Sequence, residues 1–204
     1  MSQEVFEIVQ GMDLENIENQ LALQCAPLIT GLKVSNLLIV HKDSVSSVKR
    51  ILKNTGMSYV ILADAQDKTM LLLYKADELS AYLERRRVKQ LLTDMGYENH
   101  DLYEVLLLFQ SRFKRYQSGC AEFPHEMGIL LGYPVEDVHG FIKNKGKNSL
   151  YSGYWKVYEN LPAKMRLFHK YDQSKETVIQ LVSCGISIID VIDLYSDKTV
   201  MAAM

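Results

Sequence analysis

The chain has 204 residues, 48% of them hydrophobic and 24% charged, with 23 basic against 25 acidic side chains and a formal net charge of −2. That length suits one domain, and that composition can build a core, which excludes a compositionally disordered chain. The near balance of charge excludes a bulk electrostatic pull toward nucleic acid or an anionic membrane.

The first twenty residues hold five acids and no Lys or Arg, unlike a secretory leader. Asp13 reads as a helix cap, followed by an apolar stripe of Leu14, Ile17, Leu21 and Cys25 at helical spacing. Pro27 is expected to end that helix. Asn36–Val40 reads as a strand. Ser44 is expected to cap a second helix with Val45, Val48, Ile51 and Leu52 on one face and Gly56 as its stop. Tyr59–Ala63 and Thr69–Tyr74 form a predicted hairpin around the turn-like 64–68.

From Ala76 the period turns helical. Two helices are expected over Ala76–Arg87 and Val88–Met95, meeting at an exposed cationic joint of Arg85, Arg86 and Arg87. Gly96 breaks the pattern, and Asp101–Tyr116 reads as a strongly amphipathic helix through Leu102, Val105, Leu106, Phe109 and Phe113. Short helices follow over Pro124–Leu131 and Pro134–Lys143, each with proline at its first position. After a Lys/Asn-rich loop, Tyr154–Tyr158 alternates like a strand added to the sheet. Helices over Pro162–Tyr171 and Ser174–Ser183 lead to an apolar end at Ile186–Leu194 and a fraying tail at 196–204. The expected fold is α+β or α/β, a single domain. It has an α/β part over 1–75, a mainly helical part over 76–195, and a small sheet of three or four strands covered by helices.

No apolar run approaches the ~20 residues needed to span a bilayer. Cys25, Cys120 and Cys184 are odd in number and far apart, without CxxC spacing, which fits a reducing cytoplasm better than a disulfide framework.

Three stretches resemble one family: CAPLITGLKVSNL at Cys25–Leu37, FPHEMGILLGYPVEDVHGFIKNKGKN at Phe123–Asn148, and GYWKVY at Gly153–Tyr158. It is a family of bacterial proteins from anaerobic, clostridia-like lineages, classed as a domain of unknown function, and the resemblance runs over nearly the whole chain. It implies a bacterial cytosolic protein and supplies no activity. Members of that family often carry cysteine just before the GYW segment, where this chain has Ser152, which counts against a cysteine-based metal site here.

Most of the chemistry lies in 122–158. With Pro124 opening a helix, His125 and Glu126 would sit in its first turn, near unsatisfied N–H groups. His125 is then a candidate acid/base and Glu126 its orienting group. The plainer alternative makes Glu126 a dipole partner and His125 a packing residue. Lys143, Lys145, Lys147 and Asn148 surround Gly146 in a loop suited to phosphate or carboxylate, although GxxxxGK[ST] is absent. The alternative is a helix end with Gly146 as the left-handed cap. Tyr154 and Trp155 are candidate stacking walls, or sheet filler. Cys25 is weighed between reactive nucleophile and core residue, and its place in the first stripe favours core. The five histidines have no HxxxH or HExxH spacing, so no metal site is assigned. Residues 127–143 loosely follow a helix-turn-helix, but Glu136 and Asp137 would lead the reading helix and repel phosphates.

Two functions remain. One is binding or transforming an anionic small molecule at 122–158. The other is a non-catalytic interaction or regulatory role, with DNA binding a distant third. No cofactor, nucleic-acid partner or membrane partner is assigned, and catalysis itself is left open.

Overall fold

A computed structural model describes residues 2–53 and 55–196. The fold is α+β, with two compact units whose described parts are 2–53, 55–74 and 169–196 for the first, and 75–168 for the second.

The first unit opens with α1 (Gln3–Gly11), capped by the Ser2 hydroxyl, which accepts from the Val5 N–H. This helix escapes sequence reading because it buries only Val5 completely and leaves Phe6 exposed. The next helix, α2 (Ile17–Ile29), is capped by Asn16 and not Asp13. Leu14 lies outside it and is exposed, while Leu21 and Cys25 are fully buried. Pro27 does not end α2. It lies in the last turn, and the chain leaves the helix at Thr30 and Gly31, whose φ of 73° is open to glycine at little strain.

A three-stranded sheet follows in the order β1-β3-β2, formed by β1 (Ser35–His41), β2 (Met57–Ala65) and β3 (Lys68–Lys75). β1 pairs antiparallel with β3 from Ser35↔Tyr74 to His41↔Lys68. Between β1 and β2 lies α3 (Val45–Leu52), which turns Val48, Ile51 and Leu52 inward. Its Ser44 makes no side-chain cap bond, because a 3-10 turn over Lys42–Ser44 already leads into the helix. β1 is an edge strand, and α2 covers it. The Gln24 amide exchanges two hydrogen bonds with the Ile39 backbone, at 3.0 and 3.1 Å, and Asn36 donates to the Gln24 and Leu37 carbonyls. Side-chain amides thus take the place of a further strand. Val178 and Ile179 of α9 (Leu161–Ser183) and Ile188, Val191 and Ile192 of α10 (Ile188–Ser196) complete this core. The tail expected at 196–204 lies outside the described residues apart from Ser196.

Sequence reading splits α9 at Ser174, yet one helix runs through. The Ser174 hydroxyl is buried and pairs with that of Thr30 at 2.7 Å, so the residue expected to start a second helix is an interior contact.

The second unit is mainly helical: α4 (Ala76–Leu83), α5 (Arg86–Asp94), α6 (Leu102–Gln117), α7 (Met127–Leu130) and α8 (Val135–Lys143). Asp101 caps α6 by accepting from the N–H groups of Tyr103 and Glu104. The α6 stripe Val105, Leu106, Phe109 and Phe113 is buried as its spacing predicts. Two helix starts shift. Pro134 is the residue before α8, held extended at φ −55° and ψ 134°, and α7 begins at Met127, beyond the Pro124–Glu126 turn. The Tyr154–Tyr158 segment does not join the three-stranded sheet. It closes a separate hairpin of β4 (Tyr151–Ser152) and β5 (Lys156–Val157). Among the described residues no helix is long and apolar enough to cross a membrane.

Candidate functional site

His125 and Glu126 point to different surroundings. Glu126 is 4% exposed, and its Oε1 accepts from the Tyr97 hydroxyl and from Arg112 Nη1, each at 3.0 Å. Arg112 Nη1 also reaches the Met95 carbonyl at 2.9 Å, and the guanidinium lies 4.7 Å from the Tyr97 ring centroid. Burial, then the adjacent carboxylate, push the Tyr97 hydroxyl well above its usual range. Glu126 is committed to this knot and does not orient His125. The His125 ring packs edge-on between Phe123 and Phe141, at 5.8 and 5.6 Å.

The 143–148 loop closes α8. The Lys145 N–H bonds Ile142 O and the Gly146 N–H bonds Phe141 O, the two-bond pattern that satisfies the last carbonyls of a helix. Lys145 takes the first left-handed position, at φ 50°, ahead of Gly146 at 72°. The Lys147 N–H bonds Asn144 O. The three consecutive N–H groups an anion would use are therefore spent internally, while the side chains of Lys143, Lys145, Lys147 and Asn148 stay exposed. The loop and His125 do border one feature, the Phe141 ring. Lys156 Nζ lies 6.0 Å from that ring's centroid and donates to the Gly146 carbonyl at 2.6 Å.

Trp155 faces inward. It stacks on Tyr133 at 4.9 Å, meets Phe168 edge-on at 4.6 Å, and donates its indole N–H to Asp137 Oδ2 at 2.8 Å. Tyr154 is 39% exposed against Phe168. Asp137, 2% exposed, also accepts from the N–H groups of Tyr158 and Glu159 at 2.8 and 3.2 Å. It therefore fastens the hairpin to α8. Buried Lys164 lies 3.8 Å from Asp137 Oδ2 and donates to Glu136 Oε1 at 2.5 Å. Burial is the largest single influence on the Glu136 carboxyl and would lift it, but the Lys164 hydrogen bond, a backbone hydrogen bond and the charges of Lys164 and Arg87 together outweigh it and hold the group below the usual carboxylate range.

On the other side of Glu136 the surface opens into two adjoining clefts, of about 540 and 450 Å³, both lined by Arg86, Arg87, Val135 and Glu136. The smaller one adds Arg85, Tyr82, Val88, Gly132 and Pro134. The larger adds Gln90, Leu91, Asp94, His139 and Glu159. Sequence reading treats Arg85–Arg87 only as a joint. The overlooked signal is helix polarity. Arg85 is the N-cap of α5, Arg86 and Arg87 follow, and no acid lies in the first turn, while Asp94 ends the helix. The start of a helix carries partial positive charge and its end partial negative charge, so both placements run against the dipole. Local compensation is slight. Arg87 reaches Glu136 only at 4.0 Å, and Arg85 lies over the Tyr82 ring at 5.2 Å.

In the first unit, burial pushes the Cys25 thiol from an ordinary 9.0 up to about 12. Asn36 Nδ2 approaches its sulfur at 3.7 Å, and Lys33 donates to Asn36 Oδ1 at 2.8 Å. A neutral thiol with no exposed surface belongs to the core. Cys120 and Cys184, by contrast, are exposed. Among the described residues no group of three or more His, Cys, Asp or Glu is placed to hold a metal ion.

Residues 21–192 match the model of a family described as "Protein of unknown function (DUF3793)". The chain belongs to that family. The match takes in Cys25, the arginine clefts and the Asp137 knot. Comparison with curated proteins and with solved structures gives no match.

Proposed function

We propose that this DUF3793 chain binds an anionic small molecule, with the anion held by Arg86 and Arg87 where the two clefts adjoin. The observation that carries this reading is the reversed polarity of α5. Three consecutive arginines stand at the positive end of a helix, without an acid in that turn, facing open concave space. Like charges gathered there repel one another and the dipole, and a bound anion would relieve both. Glu136, the carboxylate that Arg87 reaches at 4.0 Å, is already paired with Lys164. The ligand class is the one expected from sequence, while the anion contacts move from the lysine loop to the arginines. A bacterial source and a cytoplasmic location are part of the same proposal, supported by the sequence resemblance and the unpaired cysteines.

The test is a thermal-melt titration with inorganic pyrophosphate and, separately, citrate. A saturable rise in melting temperature with either, lost in an Arg86→Ala/Arg87→Ala variant that folds normally, is the expected result. No rise with either anion, or an equal rise in the variant, would refute the proposal.

A second reading, a non-catalytic interaction protein, draws on the outer face of α6, where Tyr103 and Leu107 are 70% and 50% exposed. Concentration-dependent sedimentation abolished by Tyr103→Ser/Leu107→Ser would favour it.

A further inference from the structure

The two clefts differ in charge, and the difference bears on what kind of anion fits. Arg85 lines only the smaller cleft, so the cationic side groups lie toward the start of α5. Asp94 and Glu159 line only the larger one, together with Gln90 and His139. Arg86 and Arg87 stand where the two meet. Glu159 and Asp94 are exposed, and among the described residues the Asp94 carboxylate accepts only from the neutral Gln90 amide, at 2.9 Å. Among the described residues, these two carboxylates therefore face the larger cleft without a basic partner of their own. A compact anion held at Arg86 and Arg87 need not reach them, whereas a longer ligand with a second anionic group extending along α5 would meet them and be repelled.

We infer that the ligand is dipolar: an anionic group at Arg86 and Arg87, joined by an extended chain to a protonated amine that lies between Asp94 and Glu159. The inference rests on the anion-binding reading above and adds a second recognition point to it. Arg86 and Asp94 are eight residues apart on one helix, which sets the two ends about 12 Å apart along its axis. Both charges of such a ligand would meet opposite charge at once, and a compact amino acid would be too short to do so.

Binding of 6-aminohexyl phosphate and of hexyl phosphate, measured by calorimetry at low ionic strength, separates the possibilities. The amine-bearing probe is expected to bind about fivefold more tightly, the worth of one well-placed ion pair in a partly open site. In Asp94→Asn/Glu159→Gln that preference should fall to about unity, because both acids are exposed and the fold does not need them. Equal binding of the two probes to the unaltered protein would overturn the dipolar inference and leave anion binding standing, as would a preference that persists in the double variant. If neither probe binds, or if Arg86→Ala/Arg87→Ala leaves both affinities unchanged, the anion-binding reading itself fails.

Discussion

Asp137 shows how much a single buried carboxylate can organise. It accepts from the Trp155 indole and from two backbone N–H groups, with Lys164 as its counter-charge. Asp137→Ala would strand those donors and leave Lys164 with Glu136 alone. We expect it to lower unfolding free energy by about 3 kcal/mol, read from urea denaturation followed by Trp155 fluorescence. Cys25 is the opposite case, a polar-looking residue whose environment silences it. In the native protein Cys120 and Cys184 should react with a disulfide reagent within minutes, and the third thiol only on unfolding, because reaction requires an accessible thiolate. Rapid loss of all three thiols under native conditions would contradict this.

Lys33, beside Cys25, carries a pH signature. Burial lowers its amine from an ordinary 10.5 to about 8. Between those values the unfolded chain binds a proton that the folded chain does not, so protonation favours unfolding and stability rises with pH across that window. Below about pH 8 both states are protonated and the full penalty of a buried charge is present. The stability difference between the unaltered protein and Lys33→Met should therefore move in favour of the former as pH rises from 8 to 10.5. A flat difference curve would show that Lys33 is solvated.

At the scale of elements, the hairpin segment fits against α8 and the start of α9 through absent side chains as well as through Asp137. A Cβ added at Gly140 would stand 2.5 Å from both Cβ and Cγ of Tyr158, the fixed end of that side chain. One at Gly153 would meet the Phe168 ring at 2.6 Å. Neither overlap can be relieved by turning a flexible tip. Gly140→Ala should destabilise by about 2–3 kcal/mol, measured by urea denaturation. Gly119→Ala tests local strain alone, since its φ is 73° and nothing lies within 4 Å of the added atom. It should cost only about 1 kcal/mol. Similar losses at the two positions would mean that the hairpin packs less closely on α8.

Across the whole molecule, the chain leaves its first unit at Lys75 and returns to it after Phe168, within α9. The residues that could ligate a metal are scattered through both units, and among those described no three come together. Protein purified without chelators should carry well under one equivalent of zinc, and a chelator should leave its melting temperature unchanged. Stoichiometric zinc lost together with the fold would refute this.

The sequence by itself determined a mixed helix-and-sheet class, the strands at Asn36–Val40, Tyr59–Ala63 and Thr69–Tyr74, the α6 stripe and the burial of Cys25. Each of these follows from short-range periodicity, and that periodicity is written in adjacent residues. Tertiary structure decided what depends on partners distant in the chain. Glu126 turned from a would-be catalytic group into the partner of Arg112 and Tyr97, and Ser174 from the expected start of a helix into the partner of Thr30. The lysine loop became a helix end once its N–H groups found carbonyls within α8. Arg85–Arg87 changed from a joint into the wall of a cleft only when α8 and Glu159 were placed opposite α5. Spacing along a chain encodes which residues share a face, whereas the charge that a buried group meets depends on segments dozens of residues away, and only the folded chain brings those together.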